Sequence, residues 1–331
     1  MTITRSEVKG LEKVSVFIKR INQDAFALES HDAISSDSIY ELANHIDELL
    51  NPIWSKKISG LNLLIKPNLL KAKEPLCTTS APVIIATAMV LKEKGASVTV
   101  ADSPAFGSAL QVLRYMGVYD ILKSMDVKMA DLSDPVKKCL PCGLKISISK
   151  MALDADLMVN LPRLKAHCQT GVTGAVKNLY GTVPGFRKAL YHMIRGRDVP
   201  LFSRMIIEIG MLLPKQITIM DCSTVMHETG PTGGKPLWLG IIASSLSAHA
   251  TDTAIYKMIN ASPESIPIWK EARKMGITHA FCENIDYPLL SPNDVTEGRD
   301  FKLPERLDPI TFNPIRFVRG RIKSALRKIA W

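Results

Sequence analysis

The sequence predicts an α/β fold with a mainly parallel central sheet, flanking helices and a small antiparallel insertion, and three observations carry that expectation. Apolar runs of strand length recur and stop at polar or proline-containing loops. Helix-length stretches with capping and stop signals lie between them. Strand, helix and strand follow in the proportions of a crossover unit, whose right-handed connection favours parallel pairing. At 331 residues, 46% of them hydrophobic and 22% charged, the chain has the material for a large core.

Residues 14–18 read as an edge or early strand, and residues 39–50 as a helix ending before the Asn51–Pro52 turn. The run 61–65 is a buried strand that stops at Lys66–Pro67. Residues 81–94 follow as a helix with Thr79 or Ser80 as its cap and Pro82 in its first turn, closed by Gly95. A strand over 97–100 then runs into Ala101-Asp102-Ser103-Pro104, and residues 108–116 form a helix ended by Gly117. Within 131–150 the segment LKISISK alternates with period two, which predicts a half-exposed antiparallel strand in an inserted hairpin.

The next strand covers 157–160 and precedes a loop carrying Arg163, Lys165 and His167. In TGVTGAVKNLYGTVPG, the first half reads as a helix whose small residues allow close approach. Residues 204–211 are helical, KQITIMD is a buried strand ending at Asp221, and 222–235 form a loop containing HETGPTGG. A strand over 237–244, a helix over 250–259 and a short helix over 267–276 complete a core spanning 1–298, with the insertion at about 131–150. Residues 299–331 make an extended tail and a basic terminal helix, in which Val318, Ile322, Ala325, Leu326 and Ile329 share one face.

The formal net charge of +10 is concentrated. Residues 161–200 hold seven Lys or Arg against one acid, Asp198, and residues 316–331 hold six against none. The rest of the chain is slightly acidic, so general nucleic-acid binding is not expected, and 6% aromatic content gives little for base stacking. The cysteines are not needed as staples in a core of this size, and the N-terminus lacks the apolar run of a leader peptide. The expectation is a cytoplasmic protein whose terminal helix docks internally or touches a membrane surface or a protein partner.

Polar residues gather at the exits of separate strands, where open α/β sheets hold ligands. His167, Asp102, Asp221 and His227 are the candidate catalytic residues, the imidazoles because they titrate near neutral pH. Lys66, Asn68, Arg163, Lys165, Lys177, Asn178, Gly233 and Gly234 are the candidate ligand-binding set, with cations and glycine-associated amides suited to an anion. Lys177 interrupts an otherwise small and apolar face in GAVKNL. Neither a Walker A loop nor a Gly-x-Gly-x-x-Gly turn is present. Cys139 and Cys142 have the bite for two thiolates on zinc or iron, half of a tetrahedral site, so an iron–sulfur cluster or divalent metal is the cofactor to consider.

The set IKPNL, VADSP, NLPRLKAH, TGVTGAVKNLYGTVPG, the IMD strand and HETGPTGG resembles the family catalogued as domain of unknown function 362, over roughly 14–259. The resemblance implies a related α/β fold and a common pocket at Lys66, Asn68, Asp102, Lys165, His167, Lys177, Asn178 and Asp221, without implying a reaction. Many relatives resemble iron–sulfur proteins through ferredoxin-type cysteine runs, and this chain departs from them in having none. The leading expectation is an enzyme acting on a small anionic metabolite. The alternatives are a metal or iron–sulfur accessory protein and a noncatalytic sensor or assembly protein.

Overall fold

In a computed structural model that describes residues 13–24, 26, 36–54, 57–105 and 107–308, the strand and helix signals resolve in this order. β1 (Val14–Ser15) and β2 (Phe17–Arg20) precede α1 (Ser36–Leu50), β3 (Asn62–Pro67), α2 (Ala81–Glu93) and β4 (Ser97–Asp102). Next come α3 (Ala109–Tyr115), α4 (Tyr119–Ser124), β5 (Lys128–Asp131), β6 (Pro135–Cys139), β7 (Lys145–Ser149) and α5 (Lys150–Asp154). They lead to β8 (Leu157–Leu161), β9 (Arg163–His167), β10 (Gly171–Thr173), α6 (Ala175–Leu179), α7 (Arg187–Arg195) and α8 (Val199–Leu212). The chain then forms β11 (Gln216–His227), β12 (Lys235–Ser245), α9 (Ala248–Met258), α10 (Pro267–Lys274) and β13 (Ile285–Asp286).

The main sheet runs β10-β9-β11-β8-β3-β4-β5, with β12 pairing β11 and β2. The pairs β3–β4, β3–β8, β4–β5, β8–β11 and β9–β11 are parallel, whereas β10, β12 and β2 join antiparallel. Alternation along the strands splits the core in two. Leu64, Ala101, Met158 and Met220 belong to one cluster, and Leu63, Ile65, Val98, Val100, Val159, Ile217 and Ile219 to the other. Side chains on successive strand residues point to opposite faces, so the sheet is covered on both sides. The small antiparallel sheet is β6–β7, and its Ile146 and Ile148 enter the first of these clusters.

Several sequence expectations are corrected here. The segment after β8 is a strand, β9, with all five residues buried. Pro162 brings no N–H to the ladder, but its carbonyl accepts from Asp221 N at 2.9 Å, so the chain stays beside β11 and re-enters the sheet. β11 does not stop at Asp221, because β12 pairs with it as far as His227 through a bulge between Cys222 and Thr224. Gly171 (φ +72°) turns the chain back, so Gly171–Thr173 forms a strand on β9 where a helix was expected. β7 is buried from Ile146 to Ser149, not half-exposed. The basic terminal helix lies outside the described residues, and among those no helix is long and apolar enough to cross a membrane.

Candidate functional site

The carboxyl ends of β3, β4 and β8 meet in a polar layer roofed by α6. Lys66 on β3 is fully buried and lies opposite Asn160 of β8 in the sheet register. Its ammonium meets Asp102 Oδ1 at 2.7 Å, Pro67 O at 2.8 Å and Asn178 Oδ1 at 3.3 Å, so its three protons are all engaged. The other Asp102 oxygen accepts from Leu69 N at 2.8 Å. Asn178 donates to Lys66 O and Asn160 Oδ1, and accepts from Asn68 Nδ2 at 3.0 Å. A Cβ on Gly181 would stand 2.4 Å from Lys66 Nζ and 2.8 Å from Asp102 Oδ1, which explains the glycine. Burial pulls the Lys66 ammonium down from the usual lysine range, while Asp102 holds it back up.

Asn68 links this layer to a second one, since its Oδ1 accepts from Lys165 Nζ at 2.9 Å. Lys165 also donates to Cys77 O, leaving one proton uncommitted. Burial lowers its pKa to about 8. Lys177, on α6, is 8% exposed, and its contact is Thr173 Oγ1 at 3.5 Å. Thr173 is the register partner of Lys165, so the two lysines are neighbours in the fold and repel each other's charge. Burial, reinforced by Lys165, holds Lys177 well below the usual lysine range. Half-buried Lys188 of α7 donates to Ser103 O, and burial lowers it to about 8.

Two imidazoles face this layer. The rings of His167 and His192 stack with centroids 6.2 Å apart and planes 12° apart. His167 Nδ1 accepts from Gln169 N at 3.1 Å, which places its proton on Nε2. His192 Nδ1 stands 2.7 Å from Gln169 Oε1, an acceptor, so its proton sits on Nδ1 and its Nε2 keeps a lone pair. The Gln169 amide is fixed by donation to Gly196 O at 3.1 Å. Burial, then Lys177, keep His167 well below the ordinary histidine range. The same causes bring His192 to about 3. Both rings are therefore neutral at physiological pH.

The remaining sequence candidates divide. Arg163 is fully buried and donates to Thr224 O at 2.9 Å and Thr78 O at 3.0 Å, with Asp221 at 3.9 Å. Asp221 accepts from Ser80 N, Ser223 N and Ser223 Oγ, so it ties β11 to the start of α2. Asp102 is thus paired with Lys66 and Leu69 N, and Asp221 with Ser80 and Ser223, so both carboxylates brace the strand ends around the lysine layer. His227 accepts from Lys302 N at 3.3 Å and packs on Phe301, and both of these neighbours lie outside the lysine layer. Gly233 makes an open turn (φ +77°), and a Cβ on Gly234 would meet Thr229 O at 2.3 Å; both serve the β11–β12 connection. Cys139 is exposed and Cys142 half-buried at the β6–β7 turn, where Cys142 N donates to Glu208. Among the described residues no three His, Cys, Asp or Glu side chains are grouped to hold a metal, so this donor pair does not by itself fit a cluster.

Sequence reading missed Asn160, Lys188, His192, Gln169 and Asp252. Asp252 of α9 is buried and accepts from Ala175 N and from Val176 N at 3.0 Å, which fixes the start of α6. Gly174 makes room for it, since a Cβ there would stand 2.2 Å from Asp252 Oδ1. The available signal for Asp252 was a carboxylate inside an otherwise uncharged helical run, AHATDTAIY.

Residues 63–257 match the family described as Domain of unknown function (DUF362). The chain belongs to that family. A thylakoid-associated protein of Synechocystis sp. is 33% identical to this DUF362 protein over 274 residues, which is 80% of this chain and 83% of the relative. Among solved structures, the lactate racemase apoprotein from Thermoanaerobacterium thermosaccharolyticum aligns at 15% identity over 75% of this chain, with a TM-score of 0.43. A Thermotoga maritima protein aligns at 12% identity over 66% of it, with a TM-score of 0.40. This DUF362 chain spans 57% and 56% of those two chains.

Proposed function

We propose that the protein is an enzyme acting on a small carboxylated or phosphorylated metabolite, held between Lys165, Lys177 and Lys188 and worked on beside His167 and His192. One observation supports this reading above the others. Lys66 and Arg163 have carboxylates within 4.0 Å, whereas among the described residues Lys165, Lys177 and Lys188 have none. Burial with no carboxylate in contact disfavours the charged forms of these lysines, and an anionic ligand beside them would favour those forms. His167 Nε2–H is a donor to a ligand oxygen, and neutral His192 Nε2 is a hydrogen-bond acceptor for a ligand hydroxyl or N–H.

The test is calorimetric titration of chelator-free protein with phosphate, oxalate and pyruvate. Lys177→Ala is expected to weaken the tightest of these by at least about tenfold, near 1.4 kcal/mol, while melting cooperatively. Unchanged affinity removes Lys177 from the site, and no binding of any anion removes the reading.

A further inference from the structure

The lysines at this end of the sheet differ in what they have to do. Lys66 is saturated by Asp102, Asn178 and Pro67, and Lys165 is anchored by Asn68 and Cys77. Lys177 has a single long contact, Thr173 Oγ1 at 3.5 Å, although it is buried. Its position is nevertheless set firmly, because α6 is held by Asp252 at its first two amides and by Asn178 in the network below. A structural lysine would be placed where its protons find acceptors. This one is held rigidly where they do not, next to a second cation and two neutral imidazoles.

We propose that Lys177 is a nucleophilic amine that condenses with the carbonyl carbon of a small 2-oxo acid whose carboxylate is taken by Lys165. This names the substrate class of the site above and rests on that reading. Burial and the neighbouring Lys165 keep the Lys177 amine available in its neutral form. The Nζ lone pair forms the C–N bond while the carbonyl pair moves onto oxygen, where His167 Nε2–H donates a hydrogen bond. One Nζ proton is then transferred to that oxygen, giving the neutral carbinolamine. The carbinolamine then expels the hydroxyl, which leaves as water with the second Nζ proton. Amine and ketone thus become imine and water, with no oxidant or reductant consumed.

The experiment uses the full chain incubated with pyruvate and sodium cyanoborohydride, followed by intact-mass measurement and peptide mapping. The expected result is one reduced adduct per chain, on Lys177, formed at least about tenfold faster than on any exposed lysine. It should be absent without pyruvate and absent in Lys177→Arg, which keeps the charge. Adducts spread over exposed lysines, or none on Lys177 while calorimetry detects pyruvate or oxalate, overturn the carbonyl chemistry and leave the anion site standing. Neither adduct nor anion binding removes both. Should Lys177→Arg fail to fold, the map of the unaltered chain decides alone, because assigning the adduct needs no variant.

Discussion

Lys66 can be fully buried because every proton of its ammonium has an acceptor and one acceptor is a carboxylate. Removing that carboxylate leaves a buried cation unmatched, so Asp102→Asn is expected to lose about 3–5 kcal/mol of stability in urea denaturation. A loss below about 1 kcal/mol would show that solvent already reaches the pair. Lys165 and Lys188 are pulled from 10.5 down to about 8, so between those values the unfolded chain binds protons that the native one lacks. Ligand-free stability should therefore rise with pH from about 8 to 10.5. Binding of an anion that needs the ammonium forms should weaken over the same range, with proton uptake measurable by calorimetry in buffers of different ionisation heat. Affinity that is flat from pH 7 to 10 would exclude these lysines as the anion's partners. The gathering of Lys66, Lys165 and Lys177 was legible in the sequence, since each follows or lies within a strand exit. Which of them is saturated was not legible, because that depends on Asn68, Asn160 and Asn178 meeting from separate elements.

At the level of elements, the short helix α6 is too brief to be stable alone and takes its order from Asp252 on α9. Asp252→Ala is expected to cost about 1–3 kcal/mol through two orphaned buried amides. Hydrogen exchange at Ala175 and Val176 should quicken specifically, and uniform quickening across the sheet would contradict a local clamp. Burial raises the Asp252 carboxyl from 3.8 to about 7, so between those values the native state holds a proton that the unfolded chain has released. This group's contribution to stability consequently falls as pH rises from 3.8 to 7. Sequence periodicity found α9 and placed the Lys177 segment in a helix, but a carboxylate reaching across to another element leaves no mark in spacing. It also misplaced β9, since a proline inside a strand signal reads as an exit when the neighbouring strand keeps pairing around it.

The whole molecule is a sheet with a buried core on each face, and that much follows from strand-length apolar runs that alternate with helices. The cover over the site is different in kind. Lys165, His167 and Lys177 are at most 8% exposed, so a ligand reaches them only if some element gives way. α7, which carries Lys188 and His192 onto the cluster, has no fully buried residue and lies between Gly185 (φ +60°) and Gly196. An element with so little buried surface opens at a free energy below that of global unfolding. Trypsin under native conditions is therefore expected to cut first, within the described residues, after Arg187, Arg195 or Arg197. An anion contacting Lys188 should slow that cleavage several-fold, because the open form gives up the contact. Earlier cleavage at Lys137 or Lys138 on the β6–β7 hairpin, with α7 intact, would place the weakest part of the fold away from the site and leave ligand entry to another element.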